Sequence, residues 1–92
     1  MGCYKIHWKE SAKKELKKLD KTMIKRLLEQ IDLLAENPRP LTCKKLQGME
    51  NFYRVRVADY RVIYSIEDNV LKIEIIRIGH RRNIYQNLGK LK

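Results

Sequence analysis

The side chains best equipped for chemistry in this chain are gathered in its second half: Arg54, Arg56 and Arg61, then His80 and Arg81, with Tyr85 following. Guanidinium groups beside a stackable ring suit a phosphodiester backbone and an unstacked base. The same fixed positive charge would stabilise the oxyanion of a phosphoryl-transfer transition state. Guanidinium stays protonated in proteins, so no arginine here is a conventional base. His80 is the one member of the group whose ordinary pKa suits proton transfer near neutrality.

These residues need elements that bring them together, and residues 51 to 66, NFYRVRVADYRVIYSI, supply two. Tyr53, Val55 and Val57 alternate with Arg54 and Arg56, while Tyr60, Val62, Tyr64 and Ile66 alternate with Arg61, Ile63 and Ser65. Both runs have the period of half-buried strands. Ala58-Asp59 is a hairpin loop that sets Val57 against Tyr60, Arg56 against Arg61, Val55 against Val62 and Arg54 against Ile63. Like charges opposed on one sheet face cost roughly 0.2–1 kcal/mol. Slippage by one residue would bury the arginines, so the register is well specified. A solvated face tolerates the opposition through screening; a face that receives an anion gives it a purpose. Adding Arg81 at the same end of the sheet favours the anion.

Upstream, Tyr4, Ile6 and Trp8 alternate with Lys5 and His7 as a first strand, with His7 toward solvent. From about Ser11, Ala12, Leu16 and Leu19 mark one side of a short helix whose other faces are lysine-rich. Asp20 or Thr22 caps a second helix with an apolar stripe of Ile24, Leu27, Leu28, Ile31 and Leu34. Asn37-Pro38 ends it, because the residue before proline is pushed out of helical space. Residues 38 to 50 read as a loop. A last strand runs from Val70 to Ile78 behind an Asp68-Asn69 turn, setting Ile66 against Leu71, Tyr64 against Ile73, Val62 against Ile75 and Tyr60 against Arg77.

The expected fold is α+β, ordered β-α-α-β-β-β with a short C-terminal helical segment. Two helices pack on one face of a mostly antiparallel sheet, where Tyr53, Tyr60 and Tyr64 are structural. Arg54, Arg56, Arg61, Ile63, Glu74 and Ile76 occupy the other face. His80 and Arg81 are expected to leave the last strand close to Arg56 and Arg61.

With 92 residues, positions 1–92 are expected to form one domain with one core. The formal net charge of +10 implies an anionic partner. Cys3 and Cys43 match no metal or redox spacing and make no disulfide framework, so a reduced, cytoplasmic setting is expected, with no metal and no cofactor. No apolar run reaches spanning length and no signal peptide is visible. Ile6 stands where a myristoylation signal has Ser or Thr, so no membrane partner is expected.

The run YRVRVADYRVIYSI, the later GHRRNIY and the earlier KKLQGM together resemble the RelE branch of the RelE/ParE toxin superfamily. That resemblance implies a small, metal-independent endoribonuclease that cuts messenger RNA in the ribosomal A site. It also implies a cognate acidic, RelB-like antitoxin encoded beside it. Arg54 and Arg56 then stand where relatives often carry lysines, one of them implicated in activating the ribose 2′-hydroxyl. Arg61 and Arg81 match arginines that hold the scissile phosphate, and Tyr85 matches a tyrosine that stacks on or orients the substrate nucleotide. His80 falls where relatives vary. With arginine at 54 and 56, either the two act only electrostatically, or the proton moves through His80 or the RNA itself. Lys13, Lys14, Lys17 and Lys18 are either a solvated helix face or a grip on ribosomal RNA. Two other functions stay open: a ParE-like toxin directed at gyrase, which shares the fold but against which Arg54, Arg56, Arg61, Arg81 and Tyr85 together argue, and a noncatalytic RNA-binding module with the same basic face.

Overall fold

The computed structural model describes residues 3–48 and 50–80. The elements follow in the order β1 (Lys5–Trp8), α1 (Glu10–Lys17), α2 (Lys21–Leu34), β2 (Cys43–Lys45), β3 (Phe52–Val57), β4 (Tyr60–Glu67), a 3-10 turn (Asp68–Val70) and β5 (Lys72–His80). The five strands form one sheet in the spatial order β1-β5-β4-β3-β2. β1 runs parallel to β5, and the other three ladders are antiparallel. The architecture is therefore the expected α+β one, two helices on a mixed sheet. The expected C-terminal helical segment lies outside the described residues.

Asp20 starts α2: its side chain accepts the Met23 backbone N–H at 2.8 Å, satisfying an amide that has no partner within the helix. α2 buries Leu27, Ile31 and Leu34 against Val55, Val57, Val62, Tyr64, Ile73 and Ile75, with Ala12 of α1 in the same core. Leu28 turns outward, so the apolar stripe passes through Met23 instead. Among the described residues no helix is long and apolar enough to cross a membrane.

Because β1 ends at Trp8, opposite Ile75, the rest of β5 would present an open sheet edge. α1 closes it. Ser11 Oγ donates to the Ile76 carbonyl at 3.3 Å, while Glu15 accepts the Ile78 N–H at 2.9 Å and the Arg77 guanidinium at 3.1 Å. Covering an edge with a helix removes both a set of unsatisfied backbone groups and a template for aggregation.

The structure departs from the sequence expectations in two elements that matter for function. Within the segment read as a loop, Cys43, Lys44 and Lys45 pair with Val55, Arg54 and Tyr53, adding an edge strand. The β4–β5 hairpin is also registered differently: Glu67 faces Lys72, Ile66 faces Ile73 and Tyr64 faces Ile75. Relative to the expected pairing this is a shift of two residues, which leaves every side chain on its original face, so alternation could not distinguish the two. Asp68 is held outside the ladder, where Arg39 and Tyr4 bind its carboxylate. The connection closes through Leu71 at φ 51°, a left-handed conformation. A bulge between Ile63 and Tyr64 in the β4 register then puts Ile63 opposite Arg77, Val62 opposite Ile78 and Tyr60 opposite His80.

Candidate nucleic-acid interface

The first hairpin has the expected register, with Arg56 opposite Arg61 and Arg54 opposite Ile63. On its other side Arg54 faces Lys44. Strand alternation therefore collects Lys44, Arg54, Arg56 and Arg61 on the face away from the helices. Together with Leu41 and Thr42 they line an open cavity of about 280 Å³. Arg56 and Lys44 are exposed, whereas Arg54 and Arg61 are half-buried. Arg61 Nη1 donates to the Tyr60 carbonyl at 3.3 Å.

None of the four has a carboxylate partner among the described residues; the ion pairs there join Lys13 to Glu10, Arg39 to Asp68, Lys72 to Glu67 and Arg77 to Glu15. Two cross-strand pairs, Lys44–Arg54 and Arg56–Arg61, oppose like charge directly. Each is unfavourable by roughly 0.2–1 kcal/mol. Beside them the face is apolar. Ile63 and Ile76, on the face that alternation assigned them, are buried in a second small core with Leu46 and Phe52. An apolar floor lowers the local dielectric, which strengthens the pull of the adjoining cations on an anion.

His80 is at the expected end of the sheet but not beside the arginines. Its backbone faces Tyr60, and its ring meets the Tyr60 ring edge-on at 5.9 Å between centroids, on the helix side of the sheet. The bulge is the reason: one extra residue in β5 reverses the face of everything beyond it. Gly79 consequently stands opposite Arg61 and brings no side chain against it. Arg81 and Tyr85 lie outside the described residues. Lys13, Lys14, Lys17 and Lys18 are exposed on or just after α1, on the side of the sheet opposite the arginines, with Lys13 3.6 Å from Glu10.

Lys44 is the member of the cluster that sequence reasoning missed. A three-residue strand is too short to show a period, and the flanking Pro38, Pro40 and Gly48 read as loop. Arg39 belongs to a different kind of cluster. Its guanidinium binds Asp68 at 2.8 and 3.2 Å, donates from Nε to Tyr53 Oη at 3.1 Å and lies 5.1 Å from the centre of the Tyr53 ring. Tyr4 Oη adds a 2.6 Å hydrogen bond to Asp68. The Arg39 and Tyr4 hydrogen bonds hold the Asp68 carboxyl down to about 2. Tyr64, whose hydroxyl donates to the Pro38 carbonyl at 2.7 Å, has its pKa pushed up chiefly by burial and stays a donor. These contacts anchor the start of the segment that delivers Leu41, Thr42 and Lys44 to the arginine face.

Comparison with known proteins places this geometry. Residues 6–85 match the family described as the ParE toxin of the type II toxin–antitoxin system parDE. The chain belongs to the RelE/ParE toxin superfamily. Within it, the chain is 30% identical over 81 residues to the mRNA interferase toxin RelE of Escherichia coli K12, covering 86% of this chain and 84% of that protein. It is 34% identical over 79 residues to the putative toxin RelE1 of Methanocaldococcus jannaschii, covering 80% and 86%. Its fold is similar to the archaeal RelE in the RelE–RelB complex from Pyrococcus horikoshii, with a TM-score of 0.79 at 32% identity over 88% of this chain and 98% of that one. It is a RelE-like toxin of a toxin–antitoxin system.

Proposed function

We propose that this RelE-like toxin is a ribosome-dependent endoribonuclease that cuts messenger RNA by attack of a ribose 2′-hydroxyl on the adjacent phosphate. The observation that carries the reading is the cavity on the sheet face where Lys44, Arg54, Arg56 and Arg61 converge with no carboxylate among the described residues to neutralise them. Naming of a 30% identical relative as an mRNA interferase supports it. Arg61, with Arg81, holds the scissile phosphate and stabilises the extra negative charge of the transition state. Arg54 and Arg56 act electrostatically, and Tyr85 stacks on the substrate nucleotide. His80, turned to the helix side, stays out of the proton path. The lysines of α1 grip ribosomal RNA from the other side of the sheet.

The solved relative from Pyrococcus horikoshii is a complex with RelB. The same reading gives this chain an acidic, RelB-like antitoxin. Leu33 and Leu41 are exposed. Leu33 borders an apolar cavity of about 230 Å³ on the helix side, and Leu41 borders the arginine cavity. An antitoxin segment passing around the β2 edge would cover both leucines and mask the arginines together.

Single-turnover cleavage of ribosome-bound message tests the reading. Arg61→Ala and Arg81→Ala are each expected to lose about 10²–10³ in rate, with no effect of chelator and little cleavage of naked RNA. Unchanged rates in both variants would remove the two arginines from the site, whereas RNA binding without cleavage by the wild-type protein would leave a noncatalytic RNA-binding module, a reading to which arginine at positions 54 and 56 gives some weight. Inhibition of gyrase supercoiling without RNA cleavage would establish the ParE-like alternative, which the matched family's description supports.

A further inference from the structure

In-line attack by the 2′-hydroxyl makes the O2′–P bond and breaks the P–O5′ bond. The electron pair of the broken bond stays on O5′, which must take up a proton to leave easily. The 2′-hydroxyl proton passes to water. Arg54, Arg56 and Arg61 are poor sources for the second proton, because a guanidinium is a weaker acid than an ammonium by about two pH units or more. His80 is turned to the helix side of the sheet, against Tyr60.

Among the described side chains lining the arginine cavity, Lys44 carries the single ammonium group. Its strand pairs it with Arg54, one strand spacing away, on the same face as Arg56 and Arg61. No described carboxylate pairs with it, so its three N–H groups are free for a ligand. A phosphodiester seated in the cavity by the neighbouring arginines would lie beside the rim that β2 forms, which carries Lys44.

Resting on the nuclease reading above, we infer that Lys44 is the general acid, donating an ammonium proton to the 5′-oxygen as the P–O5′ bond breaks. The products are a 2′,3′-cyclic phosphate and a 5′-hydroxyl, and the neutral amine regains its proton from water.

The test compares two ribosome-bound messages, one with the natural 5′-oxygen and one with 5′-sulfur at the scissile position. A thiolate leaves without protonation, so sulfur removes the need for the acid. Lys44→Arg and Lys44→Ala are each expected to lose at least about 10² in single-turnover rate on the oxygen message. On the sulfur message both should come within a few-fold of the wild-type protein. Lys44→Arg preserves the charge, which separates proton donation from binding, and thermal melts should show both variants folded. A wild-type rate for Lys44→Arg on oxygen would overturn the assignment. Equal losses on oxygen and sulfur would also overturn it, reducing Lys44 to a phosphate contact. Failure of the wild-type protein to cut the oxygen message would instead overturn the nuclease reading itself.

Discussion

Arginine is used in two opposite ways in this small protein. Arg39 and Arg77 are each matched to a carboxylate, Asp68 and Glu15, and each joins segments far apart in sequence. Arg54, Arg56 and Arg61 lie on one sheet face with Lys44, with no described carboxylate among them and two like-charge pairs across the strands. The paired arginines complete the fold. The unpaired ones work slightly against it, which a folded domain sustains when a ligand later supplies the missing negative charge. The side chain is the same in both places, and the difference lies in what the tertiary structure sets opposite it.

The strongest way to break this comparison is a double readout on Arg61→Ala. Its cleavage rate should fall by about 10²–10³ while its stability stays within about 0.5 kcal/mol of wild type. A large stability loss with normal cleavage would move Arg61 into the structural class.

Next in size is Glu15→Ala, expected to destabilise the fold by about 1.5–3 kcal/mol in urea denaturation. It strips the Ile78 amide and the Arg77 guanidinium of a charged acceptor at a half-buried edge. A loss under half a kilocalorie would mean that water satisfies that edge equally well.

Arg56→Gln should go the other way. Removing one of the opposed charges is expected to stabilise the protein by roughly 0.2–1 kcal/mol, while binding to RNA weakens and becomes less salt-dependent. Destabilisation here would show that the Arg56 stem contributes packing that outweighs the repulsion.

The smallest effect belongs to the exposed Arg39–Asp68 clasp, where solvent screens the pair. The folded-state pKa of Asp68 is depressed to about 2, so its contribution is complete above the ordinary carboxylate range and is lost as pH falls through about 2. Asp68→Asn should therefore melt below wild type at neutral pH, with the gap closing as pH is lowered from about 4 to about 2. A gap that stays constant with pH would remove the ionised clasp from the balance.

Much of this protein was legible from residue spacing. The β3–β4 register was readable because a one-residue slip would have exchanged valines for arginines in the core, a penalty local enough to show in sixteen residues. The start of α2 was legible to within two residues, at Asp20 or Thr22, for the same reason: a capping side chain acts within one helical turn. The order of the two helices and of every strand but β2 followed from their periods, and the resemblance to RelE rested on motifs in that stretch and on either side of it.

What the tertiary structure decided depended on distance in the chain. Lys44 became a strand only because β3 offered it an open edge, and three residues carry no period of their own. The β4–β5 register leaves Asp68 outside the ladder, beside Arg39 and Tyr4, partners 29 and 64 residues away. A two-residue shift kept every side chain on its face and left no trace in the alternation. The bulge in β5 then carried His80 to the helix side and set Gly79 opposite Arg61, reversing a facing that alternation alone had assigned. Local spacing can record a face wherever alternation is unbroken; it cannot record an insertion that breaks it.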